Sequence, residues 1–174
     1  IEDLRKHIGI VSQETFLFNM SVKDNIAFGK PNASMDEIIR VAKIAKAHDF
    51  ITKLPNGYDT IVGERGVTLS GGQQQKVMIA RALAKEPELL LLDEPFSNLD
   101  ASSRALVCDI ISSLRDESDI TVLVVTHDLT AIPDGCVRLV VMNNGLLTAD
   151  GKPDEVFSSE AFKEAYGQIK VEKP

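Results

Sequence analysis

Hydrophobic and polar residues alternate along this chain in blocks that predict helices and strands in turn. Apolar residues recur at helical spacing from about residue 20 to 55, from Gly71 to Lys85 and from Ala101 to Arg115. Continuous apolar runs at Leu89–Leu92 and Thr121–Val125 predict strands buried on both faces. Because strands alternate with helices, we expect an α/β fold with a mostly parallel sheet.

Shorter signals predict elements near both ends of the chain. Ile8–Ser12 predicts a further buried strand. Asn143-Asn144-Gly145 is a turn signal between the apolar stretches Val137–Met142 and Leu146–Ala149, so it predicts a β-hairpin. The remaining predicted features are the short helices Pro153–Phe157 and Glu160–Tyr166 and the helix caps Ser21, Ser34 and Asp100.

Bulk composition is that of an ordinary globular protein. The 174 residues are 44% hydrophobic and 26% charged, and the net charge is −7. An acidic chain does not suit a phosphate backbone, so we expect no nucleic-acid partner. No apolar run approaches the roughly 20 residues of a membrane span. The first residue is Ile1 rather than Met, from which we expect a longer parent protein.

The segment Leu69-Ser70-Gly71-Gly72-Gln73 is the first candidate site. It opens the predicted helix at Gly71, where free backbone N–H groups and the positive end of the helix dipole attract anions. Two glycines let a phosphate approach the main chain closely. The alternative is an ordinary helix cap followed by flexible glycines.

Three polar side chains at predicted strand ends form the second candidate site. Asp93 and Glu94 end the Leu89–Leu92 strand, and His127 follows the Thr121–Val125 strand. Ligands bind at the carboxyl ends of strands in open α/β sheets. Asp93 could hold hydrated Mg²⁺, Glu94 could orient a water, and His127 could contact a phosphate; the alternatives are solvated acids and a structural histidine.

Together these segments resemble the ATP-binding cassette of ABC transporters, over nearly the whole chain and in the family's order. Leu69–Gln73 resembles the signature and Leu89–Asp93 resembles Walker B, followed by the catalytic glutamate at Glu94. The other matching motifs are the Q-loop at Gln13, the D-loop at Ser97–Asp100 and the H-loop at Thr126-His127.

The resemblance implies that two cassettes pair head to tail and sandwich two ATP molecules with Mg²⁺. It implies that Glu94 polarises the attacking water, that Asp93 and Gln13 hold Mg²⁺ and that His127 contacts the γ-phosphate. The residues implied to close on ATP of the second cassette, or to link the two sites, are Ser70, Gly71, Gly72, Gln73 and Asp100.

The family fold implied is an incomplete P-loop NTPase-type core with a mostly parallel sheet plus an inserted α-helical subdomain. The expected divisions are residues 1–19 for a core strand and Q-loop, 20–86 for the helical subdomain, 87–158 for the α/β core and 159–174 for the C-terminal helix and tail.

Subfamily signals favour an exporter. Val62–Gly66 resembles the exporter X-loop, which touches coupling helices of the transmembrane domain, although Lys152–Phe157 is closer to importer ATPases. The implied location is the cytoplasmic side of a membrane, peripheral to or fused with a membrane-spanning domain. The alternatives are a stand-alone importer-type ATPase, a non-transport ABC ATPase and a catalytically dead binding module.

The phosphate loop G-x-x-x-x-G-K-[ST] has no match in this sequence. Gly29-Lys30 and Gly151-Lys152 are both followed by proline. We therefore expect these residues alone to bind ATP poorly and not to hydrolyse it. Since the family's phosphate-loop strand lies between strands retained here, we also expect unpaired strand edges and exposed apolar faces, and hence self-association, domain swapping or a rearranged sheet.

Overall fold

The chain folds into two units, residues 1–127 and residues 128–174. The computed structural model describes residues 6–14, 16–63, 68–97, 99–117, 119–129, 132–133 and 135–167. The four divisions expected from the sequence stay a prediction. The tail from residue 168 onwards lies outside the described residues.

A parallel sheet of three described strands organises the first unit. The strands are β1 (Ile8–Val11), β2 (Leu89–Asp93) and β3 (Thr121–Val125), in the order β1-β2-β3. Both pairings are parallel, so the carboxyl ends of the strands lie at one edge of the sheet. With helices between the strands, this confirms the predicted α/β class.

The two faces of this sheet differ in burial. Val11, Leu90 and Leu92 are fully buried on one face. On the other face Ile10 is 61% exposed, and Leu123 on β3 is 46% exposed. The prediction that the strands are buried on both faces was therefore wrong, because an apolar run does not reveal how many faces are covered. β1 and β3 each pair only with β2 among the described strands, so both outer edges are unpaired there.

Four of the five helices described in the first unit begin where the sequence supplies a capping side chain, and His48–Ile51 begins without one. Their bounds are α1 Val22–Ala27, α2 Met35–Ile44, α3 His48–Ile51, α4 Gly71–Leu83 and α5 Ala101–Glu117. Ser34 and Glu37 form a reciprocal capping box at the start of α2. The Ser21 hydroxyl accepts a hydrogen bond from the Asp24 amide at the start of α1. α1 and α2 pack on α4, so the helical segment predicted between the first two strands is confirmed.

The second unit is a hairpin packed on two short helices. Strands β4 (Leu139–Asn143) and β5 (Leu146–Gly151) are antiparallel, and they are followed by α6 (Pro153–Phe157) and α7 (Glu160–Tyr166). Val141, Val156 and Phe162 form its buried core. β4 begins two residues later than predicted, since pairing starts at Leu139 and Val137 is 79% exposed. Among the helices described in either unit, none has the length and apolar character needed to cross a membrane.

Candidate functional site

Strand register brings the predicted residues to one edge of the sheet. Val11 pairs with Leu92, and Leu92 pairs with Val124. Residues two positions beyond these, Gln13, Glu94 and Thr126, therefore follow the strand ends at corresponding positions. Asp93 is the last residue of β2 and is half-buried, whereas Gln13 is exposed. The structure thus places Asp93, Glu94 and His127 at the carboxyl edge, as the sequence predicted, and Gln13, which the family resemblance implied, follows β1 at the same edge.

Glu94 and His127 are in direct contact. Glu94 Oε1 accepts hydrogen bonds from the His127 backbone N–H at 2.9 Å and lies 2.7 Å from His127 Nδ1. Among the described residues, Glu94 Oε2 has only long contacts, at 3.4 Å, with the hydroxyls of Ser97 and Thr126. The Glu94 side chain is 13% exposed and that of His127 is 79% exposed. Oε1 therefore accepts two hydrogen bonds of ordinary length, and Oε2 accepts two long, weak ones.

Two opposing effects act on the pKa of Glu94. Burial raises this pKa, while hydrogen bonds from the His127 side chain and backbone lower it. The hydrogen bonds and the nearby imidazole outweigh burial, so the pKa lies below its ordinary value. Glu94 is consequently an ionised carboxylate at neutral pH, held by a histidine that faces solvent.

The backbone at Glu94 is in the left-handed region, with φ 48°. A non-glycine residue there costs on the order of 1–3 kcal/mol and persists when its surroundings hold it. The Glu94 amide donates to the Val125 carbonyl at 2.8 Å, which fixes the turn after β2 against the end of β3. This turn directs the carboxylate towards His127.

The Ser70–Gln73 segment forms a reciprocal cap at the start of α4. The Ser70 hydroxyl accepts from the Gln73 amide at 3.3 Å, and the Gln73 side-chain oxygen accepts from the Ser70 amide at 3.0 Å. Ser70 and Gly71 are exposed at this helix tip. The predicted helix start is confirmed, and the Gln73 side chain contributes to it through its amide oxygen.

Asp100 caps α5. Its Oδ1 accepts from the Ser103 amide at 2.8 Å and from the Ser102 hydroxyl at 2.6 Å. The Ser102 hydroxyl is the main cause that holds the pKa of Asp100 below its ordinary value, followed by the Ser103 amide. Asp100 is exposed, and its neighbour Asn98 lies outside the described residues.

The candidate residues therefore form two groups within the first unit. Gln13, Asp93, Glu94 and His127 share the carboxyl edge of the sheet, and Ser70–Gln73 lies beside the start of α5. No hydrogen bond joins Ser70–Gln73 to Glu94 or His127 where the structure describes both. In the predicted X-loop, Val62 is fully buried and Gly63 has φ 31°, and Glu64–Gly66 lies outside the described range.

Sequence reasoning missed Arg81, which joins α4 to the segment that follows Gln13. Its guanidinium donates to the backbone carbonyls of Phe16 and Asn25 and to the Asn25 side-chain oxygen. The available signal was a lone cation in the otherwise apolar stretch Val77–Ala84.

Comparison with known proteins matches this chain to one family of sequences. The sequence model of the family described as ABC transporter matches residues 1–97. A putative multidrug export ATP-binding/permease protein of Bacillus subtilis is 46% identical over 158 residues. An ABC transporter B family member of Dictyostelium discoideum is also 46% identical over 158 residues. These alignments cover 91% of this chain but 27% and 11% of the two relatives, so the chain spans less than a third of either protein.

A solved structure supports the same relationship. A bacterial Atm1-family ABC exporter with ATP bound matches 99% of this chain and 30% of its own, with a TM-score of 0.83 and 38% identity. The arrangement of strands and helices in this chain is thus similar to part of that exporter.

Proposed function

Because this chain belongs to the ABC transporter family, we propose that it forms the part of an exporter's ATP-hydrolysing cassette that carries the water-orienting carboxylate and the signature helix. The observation that supports this most is the ionised Glu94 held by His127 at the edge where Asp93 ends β2. No phosphate loop occurs in these 174 residues, so the proposal requires another segment to supply it. On their own these residues hydrolyse no ATP.

Glu94 orients the attacking water in this proposal. Phosphoryl transfer depends mainly on positioning and charge stabilisation, so a fixed, ionised acceptor is the group required. Oε1 already accepts two hydrogen bonds from His127, whereas the contacts that Oε2 makes with described residues are long, at 3.4 Å. We therefore assign the water to Oε2.

His127 holds Glu94 through Nδ1 and faces solvent with the rest of its ring. An ionised carboxylate only accepts hydrogen bonds, so Nδ1 must carry the proton in this contact. Nε2 then carries a second proton only in the imidazolium form. In that form His127 could bind Glu94 and donate to a γ-phosphate oxygen at the same time.

Mg²⁺ binding fits the donor atoms at the same edge. Mg²⁺ prefers oxygen ligands and retains several waters, so one carboxylate and one amide oxygen suit it together with ATP phosphates. Asp93 supplies the half-buried carboxylate and Gln13 the exposed amide. The ion would neutralise phosphate charge when bound.

A second cassette is the proposed partner of the signature helix. Ser70 and Gly71 are exposed at the tip of α4, where the helix dipole favours a phosphate. We propose that Ser70, Gly71, Gly72 and Gln73 approach the ATP bound to that second cassette, and that Asp100 links the two sites.

Membrane-spanning segments are the other proposed partner, with the cassette on the cytoplasmic side. One relative that matches 91% of the chain bears a name that includes multidrug export, and the structural neighbour is described as an exporter. These names favour the exporter over the importer that Lys152–Phe157 resembles.

The test is Glu94→Gln in the complete transporter that carries this chain. General-base positioning contributes about 10²–10⁴-fold, so we expect kcat for ATP hydrolysis to fall at least a hundredfold while ATP binding is retained. Glu88→Gln, a change of the same type at an exposed residue, is the control and should leave kcat within twofold. A kcat within twofold of wild type for Glu94→Gln would refute the proposal.

A further inference from the structure

The tip of α4 packs directly on the first turn of α5. A Cβ atom built on Gly72 would lie 2.4 Å from Ser103 Oγ and 2.9 Å from Ser103 Cβ. Rotation of the Ser103 side chain could remove the first clash but not the second. Only glycine therefore fits at residue 72 without moving one helix relative to the other.

The adjacent glycine is under no such constraint. A Cβ on Gly71 would meet Leu99 Cδ2 at 3.8 Å, an ordinary van der Waals distance. Neither Gly71 nor Gly72 has a positive φ, so the backbone conformation requires glycine at neither position. The requirement at residue 72 comes from packing against Ser103.

Ser103 also holds the Asp100 carboxylate. Its amide donates to Asp100 Oδ1 at 2.8 Å and its hydroxyl donates to Oδ2 at 3.3 Å. The residue that Gly72 contacts is thus one of the residues that fix Asp100. A displacement of the α4 tip towards α5 would therefore displace Ser103 and, through it, Asp100 at the start of α5.

We propose that Ser103 is a positioning residue that fixes the tip of α4, which carries Ser70–Gln73, relative to Asp100. Residue 72 must be glycine so that this tip can pack against Ser103. The tip of α4 and the first turn of α5 then move together when a second cassette approaches. This inference rests on the proposed function, because it assigns the joint movement to ATP hydrolysis.

A competing explanation is that Gly72 serves only the close approach of a phosphate. Both explanations expect Gly72→Ala to impair ATP hydrolysis. They differ for the double variant, because Ser103→Gly removes the Cβ and the Oγ that an alanine at residue 72 would meet. Packing against Ser103 predicts rescue, whereas a clash with phosphate alone predicts none.

The experiment measures kcat, KM for ATP and the thermal unfolding midpoint of the complete transporter. We expect Gly72→Ala to lower kcat at least tenfold and Gly72→Ala/Ser103→Gly to recover it to within threefold of Ser103→Gly. The matched control is Gly72→Ala/Ser102→Gly. Ser102 is in the same helical turn and also binds Asp100, but it is not among the atoms that a Cβ on Gly72 would meet. It should give no recovery.

Two results would overturn the inference: Gly72→Ala lowering kcat as much in the Ser103→Gly background as in wild type, or lowering it as little in the Ser102→Gly background as in the Ser103→Gly background. Its failure can be told apart from failure of the proposed function. If Glu94→Gln leaves ATP hydrolysis unchanged, the function fails, while the unfolding midpoints of the same variants still test the packing. Packing predicts that Gly72→Ala lowers the midpoint less in the Ser103→Gly background than in wild type.

Discussion

Substitutions of Arg81 test how much its guanidinium contacts stabilise the first unit against unfolding. Its Nε donates to the Asn25 carbonyl at 2.8 Å, and one terminal nitrogen donates to the Asn25 side-chain oxygen at 2.6 Å. The other donates to the Phe16 carbonyl at 3.0 Å. The guanidinium also lies 5.3 Å and 5.8 Å from the ring centres of Phe18 and Phe28. It forms no salt bridge with any described carboxylate, so within the part of the chain that the structure describes these contacts stabilise its charge.

The cost of removing this group can be worked out from its partners. Arg81→Met leaves the part-buried Asn25 carbonyl without this donor, at about 1–3 kcal/mol, and removes the bond to the exposed Phe16 carbonyl, at about 0.5–1.5 kcal/mol. It also removes two cation–π contacts of about 0.5–1 kcal/mol each. The Asn25 side-chain oxygen keeps the Phe18 amide as a donor. Because methionine avoids the cost of desolvating a charge, we expect a net loss of about 3 kcal/mol in the free energy of unfolding.

Urea unfolding measures this loss, with Arg40→Met as the control. Arg40 pairs with Glu86 at 2.9 Å, but their side chains are 54% and 57% exposed. Such a surface pair contributes about 0–1 kcal/mol. With a slope of about 2 kcal/mol per M, Arg81→Met should lower the urea midpoint by more than ~1 M and Arg40→Met by under ~0.5 M.

Arg81→Lys separates charge from geometry. Lysine keeps the positive charge but its single ammonium cannot reach Phe16 and both acceptors of Asn25 as a planar fork does. We expect about half of the loss seen with Arg81→Met. Equal midpoints for Arg81→Met and Arg40→Met would show that the guanidinium network contributes nothing measurable, and the reasoning would then be wrong.

Two further predictions concern pH and association. A hydrogen bond from Lys30, followed by those from the Ser34 amide and hydroxyl, lowers the pKa of Glu37 to about 2. Its stabilisation should therefore be complete above about pH 4.5 and be lost as pH falls towards 2. Glu37→Gln should remove that dependence in pH-dependent unfolding, and an unchanged profile would contradict it. Leu123 is 46% exposed on the open sheet face. Leu123→Lys should therefore reduce self-association of the 174-residue chain in sedimentation, whereas Ile61→Lys, at a residue outside the three-stranded sheet, should not. Equal effects would count against the sheet as the contact surface.

Helix starts could be predicted from the sequence because their signals are local. Ser34 and Glu37 are three residues apart, and their mutual hydrogen bonds form within one turn whatever the rest of the chain does. The same holds for Ser70 at α4 and for Asp100 at α5. The caps Ser34 and Asp100 and the helix start at Gly71 were predicted where the structure has them, whereas the cap at Ser70 was only the alternative to an anion site.

Strand burial could not be predicted in the same way. Thr121–Val125 consists mainly of residues that suit a sheet interior, yet Leu123 and Val125 are 46% and 47% exposed. An apolar sequence reports a preference for burial. Whether that preference is satisfied depends on which elements pack on each face, and those are distant in sequence.

By itself, the sequence determined which segments become strands and helices and which acids and histidine follow the strand ends, because periodicity and capping act within a few residues. Tertiary structure alone decided that Glu94 meets His127, that Arg81 binds the segment after Gln13, and that Gly72 rests on Ser103. These contacts join residues 31 to 65 positions apart. They depend on strand register and helix packing, which no local pattern encodes.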